Sequence, residues 1–132
     1  MILVDTSVWI NYFKGEVSAR PLGQLLLENQ IVSHPWVIGE LMLGNLGAKR
    51  DSVLGDIHQL PKLDVHEIRE IFDFVRKDKL EGKGLSLVDV QLLYDAIVSN
   101  CTLWTIDRKL HLAANRHGKA ADFAVHGLGL TK

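Results

Sequence analysis

The sequence is poor in several features that would each narrow its function. It has one cysteine, three prolines and almost balanced charge, with 15 Lys and Arg against 16 Asp and Glu. A lone Cys101 closes no internal disulfide, which excludes a small disulfide-stapled scaffold and fits a reducing cytosol. Its neighbours read as a buried strand, so Cys101 is expected to be a small core residue and not a nucleophile. No apolar run approaches the ~20 residues that cross a bilayer. The start passes straight into Ile2-Leu3-Val4 without a basic leader, so neither a membrane span nor a signal peptide is expected. A formal charge of −1 excludes a broadly basic nucleic-acid-binding face, unless a cluster of acids offsets local basic groups. Internal repeats and low-complexity segments are also missing.

What is there is a chain of 132 residues, 47% apolar, which fits one domain over 1–132. Short apolar runs at 2–4, 31–33, 63–65 and 101–106 read as strands, with a last one at 123–126. Between them fall helical patterns. Thr6 or Ser7 caps a helix over 8–14. Pro21 sits early in a second helix that carries Leu22, Leu25 and Leu26. His34-Pro35 opens a third, with Trp36, Val37, Glu40 and Leu41. Helices are further expected over 48–59, 66–80 and 86–100, and after Asp107 to about 117. The tail at 127–132 reads as a mobile end. Strands alternating with helices favour an α/β fold, a parallel sheet covered on both faces.

The informative feature is where four carboxylates fall. Asp5 follows the first strand and Asp107 follows the 101–106 strand, while Glu40 and Asp89 lie in the early turns of helices. Ligands of parallel sheets collect at the carboxyl ends of strands, where strand order reverses, so Asp5 and Asp107 would share a crevice if their strands are neighbours. Acids brought together there repel unless a cation neutralises them or some stay protonated. An all-oxygen site suits Mg²⁺ or Mn²⁺ and not Zn²⁺. Metal-assisted phosphodiester hydrolysis is the chemistry that follows. Each acid also has a structural reading: Asp5 and Asp107 as helix caps, Asp89 in a capping box with Ser86, and Glu40 as a solvated helix residue.

At these residues the sequence resembles a family. Met-Ile-Leu-Val-Asp5-Thr-Ser-Val-Trp-Ile is similar to the opening of PIN-domain toxins of the VapC family, and Val37-Ile-Gly-Glu40-Leu to their second acidic segment. Gly82-Lys-Gly84-Leu-Ser-Leu-Val-Asp89-Val-Gln-Leu-Leu resembles the third, and Leu103-Trp-Thr-Ile-Asp107-Arg-Lys-Leu the fourth. The resemblance runs from Met1 to about His117, and four motifs in order are more specific than any one. It implies a three-layer α/β/α sandwich with a mostly parallel sheet, and a cytoplasmic endoribonuclease that needs Mg²⁺ or Mn²⁺. Asp5 and Asp89 would be the surest metal ligands, completed by Glu40 and Asp107, with Thr6 and Thr105 supporting them. It also implies a cognate antitoxin that blocks the site, an RNA substrate and a homodimer.

On this reading the site acids mask basic residues able to touch a phosphate backbone. Most of the basic pairs read as solvated helix faces. Lys83 and Arg108 are the better RNA candidates, because each lies close to a site acid. The six histidines show no zinc spacing and read as surface or capping residues. Trp9, Trp36 and Trp104 are expected in the core. A rival reading is a non-catalytic metal-binding module on the same fold, against which the four intact acids argue. An aspartyl-phosphate enzyme fails because no second Asp stands two residues after Asp5.

Overall fold

The structure, a computed structural model, describes residues 1–123. Three short strands form its sheet: β1 (Ile2–Val4), β2 (Ile31–Val32) and β3 (Thr102–Trp104). They are parallel in the order β2-β1-β3, with Leu3 opposite Val32 on one side and Leu103 on the other. Each strand is apolar on both faces because a parallel sheet is buried on both; Leu3, Val4 and Leu103 have no exposed surface. Seven helices surround the sheet: α1 (Thr6–Phe13), α2 (Pro21–Leu27), α3 (Pro35–Leu43), α4 (Arg50–His58), α5 (Ile68–Asp78), α6 (Leu87–Val98) and α7 (Arg108–Arg116).

One expected strand is reduced to a single bridge. The one read at 63–65 is a lone parallel bridge from Lys62 to Ser33. The partner explains this: after Ser33 the chain turns at His34-Pro35 into α3, so the ladder stops once Ser33 N donates to Pro61 O at 2.7 Å and Leu63 N to Ser33 O at 2.9 Å. The strand read at 123–126 falls almost wholly on 124–126, which with the tail at 127–132 lie outside the described residues; before it, Ala120 makes a single parallel bridge to Leu103. The bridges nonetheless extend the parallel order outward on both sides of β2-β1-β3. The chain therefore moves one way from β1, reverses, and returns past β1 to β3. Right-handed crossovers place the helices of those two directions on opposite faces. The contacts agree: α1 packs on α3 and α3 on α4, while α6 packs on α5, α7 and β3. This is the three-layer α/β/α arrangement.

Caps set the helix starts. Asp5 itself caps α1, one step earlier than a cap at Thr6 or Ser7, because its carboxylate accepts the Thr6 N–H. The main core joins Val8 and Trp9 of α1, Val37 and Leu41 of α3, Leu92, Leu93 and Ala96 of α6 and Trp104 of β3. Cys101 is buried in it, as expected. Trp36 is not: it is 37% exposed at the start of α3, pointing away from the stripe of Val37, Ile38 and Leu41.

Candidate functional site

The reversal of strand order lies between β1 and β3, and Asp5 sits there. Its backbone N–H donates to Trp104 O at 2.9 Å, which locks it to the carboxyl end of β3. Asp5 is 7% exposed. Its Oδ1 accepts the Thr6 N–H at 2.8 Å, and its Oδ2 accepts the Thr105 hydroxyl at 2.7 Å and the Ser7 hydroxyl at 3.1 Å. Burial pushes its carboxyl above the usual range; the bonds from Thr105, Ser7 and Thr6 pull it back, and the negative charge of Asp89 adds to the rise.

The other three acids connect to Asp5 through short links. Thr105 Oγ1 also accepts the Asp107 N–H at 3.0 Å, so one threonine fixes Asp5 and the turn that carries Asp107. The Thr6 hydroxyl donates to Glu40 Oε1, which brings exposed Glu40 of α3 over the start of α1. Asp89 acts on Asp5 through its charge. The structure thus links Glu40 and the Asp107 turn to Asp5 through one threonine each and Asp89 to Asp5 by charge.

Capping uses one oxygen of each of two acids. Asp89 Oδ2 accepts the Ser86 N–H at 3.0 Å while Ser86 Oγ accepts the Asp89 N–H at 3.1 Å, a capping box. Asp107 Oδ1 accepts the N–H groups of Lys109 and Leu110 at 2.8 and 3.4 Å. Among the described residues Asp89 Oδ1, Asp107 Oδ2 and Glu40 Oε2 accept no hydrogen bond. The caps fix Asp89 and Asp107, and Thr6 fixes Glu40, each through one oxygen. Among the described residues no three acidic, histidine or cysteine groups close into a cage. Mg²⁺ keeps most of its waters and takes one or two carboxylates, so an acidic pair such as Asp5 and Asp89 matches its habit. The donor set is all oxygen, which fits a hard cation.

A second polar cluster escaped the sequence reading. Asp95 of α6 is fully buried, as is His34. Asp95 Oδ2 accepts from His34 Nε2 at 2.7 Å and Gln91 Nε2 at 2.9 Å; Oδ1 accepts from His66 Nδ1 at 2.7 Å and the His66 N–H at 3.2 Å. The Trp36 N–H donates to His34 Nδ1 at 3.0 Å, so the ring proton of His34 is on Nε2, aimed at Asp95. Burial alone would raise the Asp95 carboxyl, and the bonds from His34, Gln91 and His66 outweigh it and hold it below the usual range. His34 caps α3, one of the two roles expected of the histidines, and does so fully buried. His117 bonds Asp78 at 3.0 Å, and His126 lies outside the described residues. The signal available was the pair Gln91 and Asp95, four residues apart on a helix otherwise apolar all round, where a buried acid must have partners.

A parallel three-layer fold with a buried aspartate at the β1/β3 reversal is that of a PIN-type α/β/α domain. Solved structures share it: PAE2754 from Pyrobaculum aerophilum aligns with a TM-score of 0.61 and 20% identity over 92% of this chain and 87% of that one. FitAcB from Neisseria gonorrhoeae aligns with a TM-score of 0.62 and 24% identity over 87% and 94%. In sequence the chain is 40% identical to Ribonuclease VapC32 of two strains of Mycobacterium tuberculosis over 121 residues, 91% of this chain and 95% of the relative. The chain belongs to the VapC family of PIN-domain toxin ribonucleases. No family model matches it.

Proposed function

We propose that this chain hydrolyses RNA phosphodiesters with the help of Mg²⁺ or Mn²⁺, as the toxin of a pair whose cognate antitoxin covers the site. The observation that carries the reading is the buried Asp5 carboxylate at the β1/β3 reversal, held by Thr105, which also fixes the Asp107 turn, and raised by burial and by the charge of Asp89. Asp5 and Asp89 hold the cation, and Asp107 and Glu40 complete its surroundings. A bound divalent cation supplies Lewis acidity toward a phosphate oxygen and makes a nearby water more acidic. Thr105 and Ser7 hold Asp5 in place through their hydroxyls. Thr6 orients Glu40 through Oε1, which leaves Oε2 to accept a proton from the attacking water. A single domain, a homodimer and a cytosolic location belong to the same reading; the buried, unpaired Cys101 supports the last.

The test is cleavage of an RNA panel by protein freed of any copurified partner, with Mg²⁺, Mn²⁺ or EDTA, alongside Asp5→Asn and Asp89→Asn. Metal-dependent cleavage lost in both variants is the expected result. Full activity in Asp5→Asn, or cleavage indifferent to EDTA, would overturn the mechanism. Tight metal binding with no cleavage would favour the non-catalytic module.

A further inference from the structure

The Gly82-Lys83-Gly84 segment has no part in the acidic cluster, yet its geometry is tightly set. Gly84 has φ +78, a left-handed conformation that favours glycine. A Cβ there would also meet Lys109 Nζ at 2.7 Å and Cδ at 2.8 Å, so the Lys109 side chain lies directly across the Gly84 backbone. Lys109 belongs to the first turn of α7, capped by Asp107, and Gly84 stands two residues before Ser86, the cap of α6. Lys109 therefore spans the gap between the two helix starts that present Asp107 and Asp89.

Beneath this lysine runs a groove of about 410 Å³ lined by Lys83, Leu85, Lys109, Leu112, Ala113 and Arg116. Its lining combines the apolar Leu85, Leu112 and Ala113 with the cationic Lys83, Lys109 and Arg116. Among the described residues neither Lys83 nor Lys109 is paired with a carboxylate, whereas Arg116 reaches Asp78. Two unpaired lysines beside an acidic cluster in a chain of net charge −1 form a local reversal of charge. A phosphodiester strand matches it: phosphates meet the lysines, and sugar or base surface lies on Leu85, Leu112 and Ala113.

We propose that this groove between the 82–84 loop and α7 holds the single-stranded RNA flanking the scissile phosphate, with Lys83 and Lys109 as its phosphate contacts. The proposal rests on the ribonuclease reading above and adds where the strand runs. These lysines position RNA without reading its sequence, and they act on binding and not on the chemical step.

Binding and turnover separate the two ideas. A fluorescent single-stranded RNA is titrated with the Asp5→Asn protein in low salt, then with Lys83→Ala, Lys109→Ala and Lys14→Ala each added to it. Lys14 ends α1, remote from α6 and α7 in the chain. The expected result is several-fold weaker binding for Lys83→Ala and Lys109→Ala. The slope of log affinity against log salt falls by about 0.7 per lost phosphate contact, and Lys14→Ala changes neither. In otherwise active protein the two groove variants raise KM and leave kcat within about twofold. Gly84→Ala, which pushes Lys109 aside, gives the same signature. If Asp5→Asn binds RNA but the groove variants match it, the groove proposal is overturned and the ribonuclease reading stands. If Asp5→Asn binds no RNA at all, both fall. If the groove variants lose an acidic protein partner but not RNA, the groove is a protein site and the proposal is overturned.

Discussion

At Asp5 and Asp95 the fold keeps two buried aspartates whose carboxyls are shifted in opposite directions, raised by burial at Asp5 and lowered by the donors of His34, Gln91 and His66 at Asp95. The Asp5 carboxyl is raised, so the native state holds its proton more tightly than the unfolded chain does. Its ionisation costs stability; that cost is absent below the ordinary carboxylate range near pH 4 and complete above the raised native value. Asp5→Asn is therefore expected to lower cleavage by at least ~100-fold while its Tm at pH 7 equals or exceeds the parent's, the gain fading toward acid pH. A Tm well below the parent's at neutral pH would mark Asp5 as a structural residue instead. The Asp95 carboxyl is lowered, so its stabilisation is present above the ordinary range and lost as pH falls through its depressed native value. Asp95→Ala strands the donors of His34, Gln91 and His66, and its cost is expected to be on the order of 3 kcal/mol at pH 7 by urea unfolding. The gap to the parent should narrow below about pH 4.

At the scale of elements, the acids depend on how the helices begin. Asp89 and Asp107 are held because one oxygen of each caps its own helix. Ser86→Ala removes half of the capping box on α6, with an expected cost of about 1 kcal/mol and a fall in cleavage larger than that loss of folded protein explains. Thr6→Val frees Glu40 from the start of α1, and a 10–100-fold loss of activity is expected, the usual effect of removing such an orienting partner. Kinetics with Tm measured on the same samples checks both. The helices were legible from the sequence because their caps and apolar stripes are local: Ser86 with Asp89, Pro21 and Pro35, and Asp107 before α7 all stand where the pattern placed them. The outer strands were not legible in the same way. Residues 63–65 are apolar enough for a strand, but a strand exists only through its neighbour, and beside Pro61 only Lys62 pairs with Ser33.

For the whole molecule, cation binding should feed back on folding. On the proposed reading, a divalent ion held by Asp5 and Asp89 would relieve their repulsion and so bind the native state better than the unfolded chain. At a hundredfold excess over its dissociation constant the expected gain is about 2.7 kcal/mol, read as a rise in Tm that EDTA reverses and Asp5→Asn abolishes. An unchanged Tm across millimolar Mg²⁺ and Mn²⁺ would count against the four acids as a metal site. The sequence by itself determined the alternation of strands and helices, the four acids and their order, because these follow from local periodicity, capping chemistry and recurring motifs. It did not determine the burial of His34, the partners of Asp95, the exposure of Trp36 or the path of Lys109 across Gly84. Those depend on which residues distant in the chain come to lie side by side. Only the order β2-β1-β3, which sets Asp5 against Thr105 and α6 against His34, decided them.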